Sequence, residues 1–123
     1  MTILAPYQQT PEGQLAIHRA VAEARLRDTD LVVLTAPAQA GGDAVHEVPE
    51  LRDSSDDVRV TVRAAVRPDD LAGEIVDLAT ELDAEMIVIG MRRRSPVGKL
   101  FLGSTAQDVL LNASVPVLSV RVP

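Results

Sequence analysis

Gly90-Met-Arg-Arg-Arg-Ser-Pro-Val-Gly98-Lys-Leu-Phe-Leu-Gly103-Ser104-Thr105 lies between an apolar run, Met86-Ile-Val-Ile89, that reads as a buried strand and a segment reaching Ala113 that reads as a helix. Gly90 closes the strand. Gly103-Ser104-Thr105 opens the helix, whose first backbone N–H groups have no partner within it and point at whatever precedes them, so an anion fits there. Arg92, Arg93, Arg94 and Lys99 place four cations in eight residues with no acid among them, inside a chain of formal net charge -6. A cationic loop is often only a solvated connection. Gly90, Gly98 and Gly103, however, let the backbone turn sharply and approach a ligand, which solvation does not require. The adjacent arginines repel one another, so Met91–Leu102 is expected to be mobile in the free protein and to order around an anion.

Outward from this loop, a length of 123 residues has room for one domain, 1–123, with one well-formed core. Apolar residues make up 46% and aromatic residues 2%, so the core is built from Val, Leu, Ile and Ala, as in buried parallel strands and the helices that cover them. The acidic balance argues against nucleic acid, because neutralising a phosphate backbone needs a broad basic face rather than one loop. Cys is absent, which removes disulfides, thiolate metal sites and cysteine nucleophiles. The start, Met1-Thr-Ile-Leu-Ala-Pro6, lacks the basic segment and long apolar stretch of a signal peptide. No apolar run approaches the ~20 residues of a membrane helix, so the expectation is a cytoplasmic chain without a membrane partner.

Toward the N-terminus, Thr2-Ile-Leu-Ala5 is a short apolar run, and Thr10-Pro11 supplies an N-cap followed by proline at the first helical position. A helix is expected from Pro11 to about Arg27, with Ile17, Ala20, Val21 and Ala24 on one face and Glu12, Arg19, Glu23 and Arg27 largely on the other. Leu31-Val-Val-Leu34 is continuous rather than alternating, as in a strand covered on both sides. From Pro37 to Asp57 the reading is loop, with at most a turn or two of helix around Val48–Arg52. Val58–Val66 begins by alternating apolar with polar residues, as at a sheet edge. Leu71, Ile75, Leu78, Ala79 and Leu82 then recur at helical spacing behind the acidic turn Pro68-Asp69-Asp70, with Gly73 costing about 1 kcal/mol against Ala. Val115–Val122 is the last strand, its Pro116 suited to a strand start or an edge. Alternating strands and helices of this composition give an α/β doubly wound, Rossmann-like sheet of five mainly parallel strands.

Several chemistries are missing. His18 on a helix and His46 in the loop share no metal spacing. Ser104 has no adjacent His to activate it and fits a helix cap. Asp69-Asp70 and Asp56-Asp57 read as helix N-terminal charge and a solvated turn rather than a Mg²⁺ site. The loop lacks the Gly-x4-Gly-Lys-(Ser/Thr) pattern of fast nucleotide hydrolases, so an enzyme is not expected.

Over nearly its whole length the chain resembles the universal stress proteins, whose signature is Gly-x2-Gly-x9-Gly-(Ser/Thr). Gly90, Gly103 and Ser104 match it, and Arg93 stands at the second glycine position. Ala84-Glu-Met-Ile-Val-Ile-Gly90 resembles the family's strand into the motif, and Ser114-Val-Pro-Val-Leu-Ser-Val120 its closing strand. The resemblance implies strand order 3-2-1-4-5, with a second helix region shortened within Ala38–Asp57. It implies a stress-response sensor or regulatory domain that binds ATP or AMP, with or without Mg²⁺. Gly90, Arg93, Gly103, Ser104 and Thr105 would be phosphate contacts and Ala36 an adenine contact. The family's Asp after strand one has no counterpart in Tyr7-Gln8-Gln9-Thr10-Pro11. Pairing of relatives along the last strand implies a homodimer through Val115–Val122. The alternative is a dimeric interaction module that has lost nucleotide binding. With that strand order, ligands belong beyond the carboxyl ends of the strands where the order reverses, between Tyr7–Gly13 and Gly90–Ser104.

Overall fold

The computed structural model describes residues 1–35, 48, 51, 57–93, 100–101 and 104–122, with only the backbone described at 68, 92, 93, 100 and 101. The elements are β1 Thr2–Pro6, α1 Pro11–Arg27, β2 Asp30–Thr35, β3 Val60–Ala64, α2 Leu71–Glu81, β4 Ala84–Arg93, β5 Leu100–Phe101, α3 Ser104–Asn112 and β6 Val117–Arg121. A 3-10 turn, Pro68–Asp70, leads into α2.

β1 pairs parallel with β2 on one side and β4 on the other, β2 continues to β3, and β4 continues to β6. The five long strands therefore run β3-β2-β1-β4-β6, the order 3-2-1-4-5. The chain moves one way from β1 through α1 to β2 and the other way from β3 through α2 to β4. Right-handed crossovers consequently put α1 on one face and α2 with α3 on the other. Successive strand residues serve the two layers. Ile3, Ala5, Leu31, Val33, Met86 and Val88 pack with Ile17, Ala20 and Ala24 of α1. Leu4, Val32, Leu34, Ile87 and Ile89 pack with Ile75 and Leu78 of α2 and Val109 of α3.

Local signals set α1 as expected. The Thr10 hydroxyl accepts from the Gly13 N–H at 3.0 Å, Pro11 stands at the first turn, and Asp28 closes the helix at φ 54°. Glu23, placed on the outer face by the sequence reading, is instead 8% exposed. Its stem covers the edge of the apolar stripe while its carboxylate stays 3.6 Å from Arg19 one turn earlier. Val48 and Leu51 are buried against the α1 layer, and the Leu51 N–H donates to the Val48 carbonyl at 2.9 Å, a turn within the expected Val48–Arg52 stretch. Most of the rest of Ala38–Asp57, including the expected shortening, lies outside the described residues.

β4 departs from the sequence reading. The strand does not end at Gly90 but runs to Arg93, where Arg92 pairs with Phe101 and Arg93 with Leu100 in an antiparallel ribbon. Both ends of the stretch expected to be a mobile loop are thus held in a ladder. Its tip, 94–99, lies outside the described residues.

Candidate functional site

The cleft opens where strand order reverses, at the carboxyl ends of β1 and β4. The Tyr7 N–H donates to the Leu34 carbonyl at 2.9 Å, extending the ladder one residue past β1, and Tyr7 is buried. The chain then turns through Gln8 and Gln9 to Thr10, and α1 begins. On the β4 side Gly90 lies directly against this first turn, so that a Cβ there would collide with the Glu12 carbonyl. Absence of a side chain at Gly90 is what brings β4 and α1 together. The glycine is explained by helix–strand packing as well as by ligand access.

Between these elements and the starts of α2 and α3 is a cleft of about 320 Å³. Its polar lining comes from Gln8, Thr10, Glu12, Ser104 and Thr105. Its apolar lining includes Leu71 and Ile75 of α2, Ile89 and Met91 of β4, and Val109 of α3. Thr10 is committed to capping α1, whereas Ser104 is exposed at the first residue of α3, where unpaired helix N–H groups favour an anion. Glu12 is the one ionisable side chain among the described lining residues.

Of the residues singled out in the sequence, Gly90, Ser104 and Thr105 meet in this cleft. Arg93 lies in β4 by its backbone, paired with Leu100, which explains a non-glycine residue there: a ladder position favours a side chain over glycine. Ala36 and Gly103 lie outside the described residues. The sequence reading missed Glu12, Leu71, Ile75 and Val109 as lining residues. In the sequence Glu12 reads only as an outer-face residue of α1 within the Tyr7–Gly13 flank, and Leu71 and Ile75 belong to a stripe that also builds the core. His18 is exposed on α1, and no group of three or more His, Cys, Asp or Glu that could hold a metal occurs among the described residues.

The model of the Universal stress protein family matches residues 1–121. A universal stress protein of Mycolicibacterium smegmatis is 40% identical over 131 residues, which cover 97% of this chain and 96% of that protein. Among solved structures, a universal stress protein from Archaeoglobus fulgidus superposes with a TM-score of 0.81 at 32% identity, covering 97% of each chain. A structure of the universal stress protein from Archaeoglobus fulgidus in complex with dAMP superposes at 0.75 with 27% identity, over 97% of this chain and 96% of that one.

Proposed function

The chain belongs to the universal stress protein family, and from that premise we propose that its cleft binds an adenine nucleotide, AMP or ATP, as the ligand of a cytoplasmic stress-response sensor rather than as the substrate of an enzyme. The observation that carries this reading is the meeting of Ser104 and Thr105, at the start of α3, with Gly90 of β4 in one cleft. Backbone N–H groups and hydroxyls at a helix N-terminus suit a phosphate, and the partly exposed apolar surface of Leu71 and Ala106 suits the face of a base. The relative solved with dAMP, also an adenine nucleotide, supports the same ligand class. Among the described lining residues Glu12 is the one carboxylate, and no histidine stands with it.

Native mass spectrometry of freshly purified protein, followed by titration calorimetry with AMP and ATP with and without Mg²⁺, tests the proposal. Ser104→Ala with Thr105→Val is expected to weaken binding about tenfold or more, the loss of hydrogen bonds to a charged acceptor. Unchanged affinity in that variant would place the site elsewhere. Binding also raises the unfolding temperature by mass action.

The second reading, an interaction module without nucleotide, is favoured by β6 and by Gln8. β6 pairs with β4 alone, so that among the described strands its other edge has no ladder partner. Gln8 lines the cleft from a turn that carries no carboxylate. An open apolar edge is a template for pairing, so both readings include a homodimer through Val115–Val122. A dimer that binds neither AMP nor ATP would decide for the second.

A further inference from the structure

We propose that Glu12 is the specificity-determining residue of the cleft, its carboxylate accepting hydrogen bonds from the adjacent 2′- and 3′-hydroxyls of a ribonucleotide. The proposal rests on the nucleotide reading above and adds to it which sugar the site selects.

Glu12 springs from a fixed point. Thr10 caps the helix it begins, Pro11 precedes it, and its backbone is packed against Gly90. The side chain is half-buried and lines the cleft, yet its carboxylate makes no ion pair or hydrogen bond to the described residues. A half-buried carboxylate with accepting capacity to spare draws donors from the ligand.

Which part of a nucleotide supplies them follows from charge. Phosphate and carboxylate repel, and this repulsion is strong where water is partly excluded. The phosphate therefore takes the Ser104–Thr105 end, where helix N–H groups attract it, and Glu12 is left facing a neutral part of the ligand that donates. The base is then left the partly exposed apolar surface of Leu71 and Ala106, at the starts of α2 and α3. Between phosphate and base lies the sugar, whose two neighbouring hydroxyls match the two oxygens of one carboxylate. A ligand lacking one hydroxyl leaves an oxygen of Glu12 short of its partner, which discriminates by about ten- to a hundredfold when the acceptor is charged.

Calorimetry on the full chain with AMP, 2′-deoxy-AMP and IMP, all with EDTA and then with Mg²⁺, tests this on the native protein, Glu12→Gln and Glu12→Ala. The native protein is expected to prefer AMP over 2′-deoxy-AMP by about tenfold or more, and both variants to bring the two within about twofold. Circular dichroism should stay unchanged, since the Thr10 cap is intact; Glu12→Gln keeps the shape should Glu12→Ala misfold. Equal binding of the two ligands by native protein, or a preference that survives in the variants, overturns the proposal. So does a preference that appears only with Mg²⁺, which would give Glu12 a cation, or loss of AMP-over-IMP selection instead, which would place it at the base. No AMP binding at all by native protein would defeat the nucleotide reading itself, an outcome distinct from AMP binding without sugar preference.

Discussion

The carboxylate of Glu74 receives the backbone N–H of Val66 at 2.9 and 3.0 Å, one distance to each oxygen. The same group accepts the Arg67 N–H at 2.7 Å, while the Arg67 guanidinium reaches Asp77 at 2.8 Å, so α2 grips the turn that delivers the chain to it. Val66 itself is 80% exposed and contributes only its backbone. This contact also sets where Leu71 and Ile75 stand along the cleft.

Glu74→Ala is expected to destabilise the protein by about 2–3 kcal/mol, because two N–H groups lose a charged acceptor. Glu74→Gln should cost less, since the amide oxygen still accepts. Urea unfolding with an unchanged slope measures both, and a midpoint for Glu74→Ala indistinguishable from native would show that water replaces the carboxylate without loss.

Gly73 behaves differently from what helix propensity says. The Asp70 side chain accepts from the Gly73 N–H at 3.1 Å as the cap of α2, and a Cβ on residue 73 would collide with that carboxylate. The gain of about 1 kcal/mol from alanine is therefore offset by a lost cap of similar size, and Gly73→Ala should be neutral within about 0.5 kcal/mol. In an Asp70→Ala background the same change should stabilise by about 0.5–1 kcal/mol. Identical effects in both backgrounds would rule the collision out.

Gly90→Ala is expected to cost about 1–3 kcal/mol, since the obstacle is the Glu12 backbone and no rotamer relieves it. Separation of β4 from α1 should also remove the rise in unfolding temperature that the proposed AMP binding would give. Thermal unfolding with and without AMP tests the two effects together. A variant as stable as native protein would mean that the two backbones have room to part.

For the β6 edge the register selects the test. The Pro116 carbonyl accepts from Ile87 and the Val122 N–H donates to Met91, so residues spaced by two from these face β4 and Val117, Ser119 and Arg121 face outward. Ser119→Pro removes an outward N–H without breaking the ladder to β4 and should convert the proposed homodimer to a folded monomer in sedimentation velocity. Val120→Asp is a poorer probe, because Val120 packs against the α1 layer and its loss would unfold as well as dissociate. A Ser119→Pro variant that remains dimeric places the interface elsewhere.

How far the sequence foretold all this depends on the range of the signal. Thr10-Pro11 set the start of α1, and the Leu71–Leu82 stripe set α2, because capping and helical spacing act between near neighbours. The edge character of β3 was visible in its alternation. The extension of β4 was not, since Arg92 and Arg93 become strand only by pairing with Phe101 and Leu100, several residues further along the chain. Strand order came from resemblance, periodicity being silent on which strands are neighbours. The cleft's location could be read from Gly90 and Ser104, whereas Glu12 and Glu74 looked like ordinary helix charges until tertiary packing put one in a cleft and the other beneath a turn.

The central place of β1 has a bearing on biosynthesis. β1 emerges from the ribosome before either neighbour, β2 follows it closely, and its other flank waits for β4, which begins at Ala84. A nascent chain halted after α2 would carry Ile3, Leu4 and Ala5 on a naked sheet margin, a template for pairing between chains. The cleft, needing β1, β4 and α3 together, is among the last features to be assembled. Truncated products of this chain should therefore fail by intermolecular association before they fail by loss of ligand.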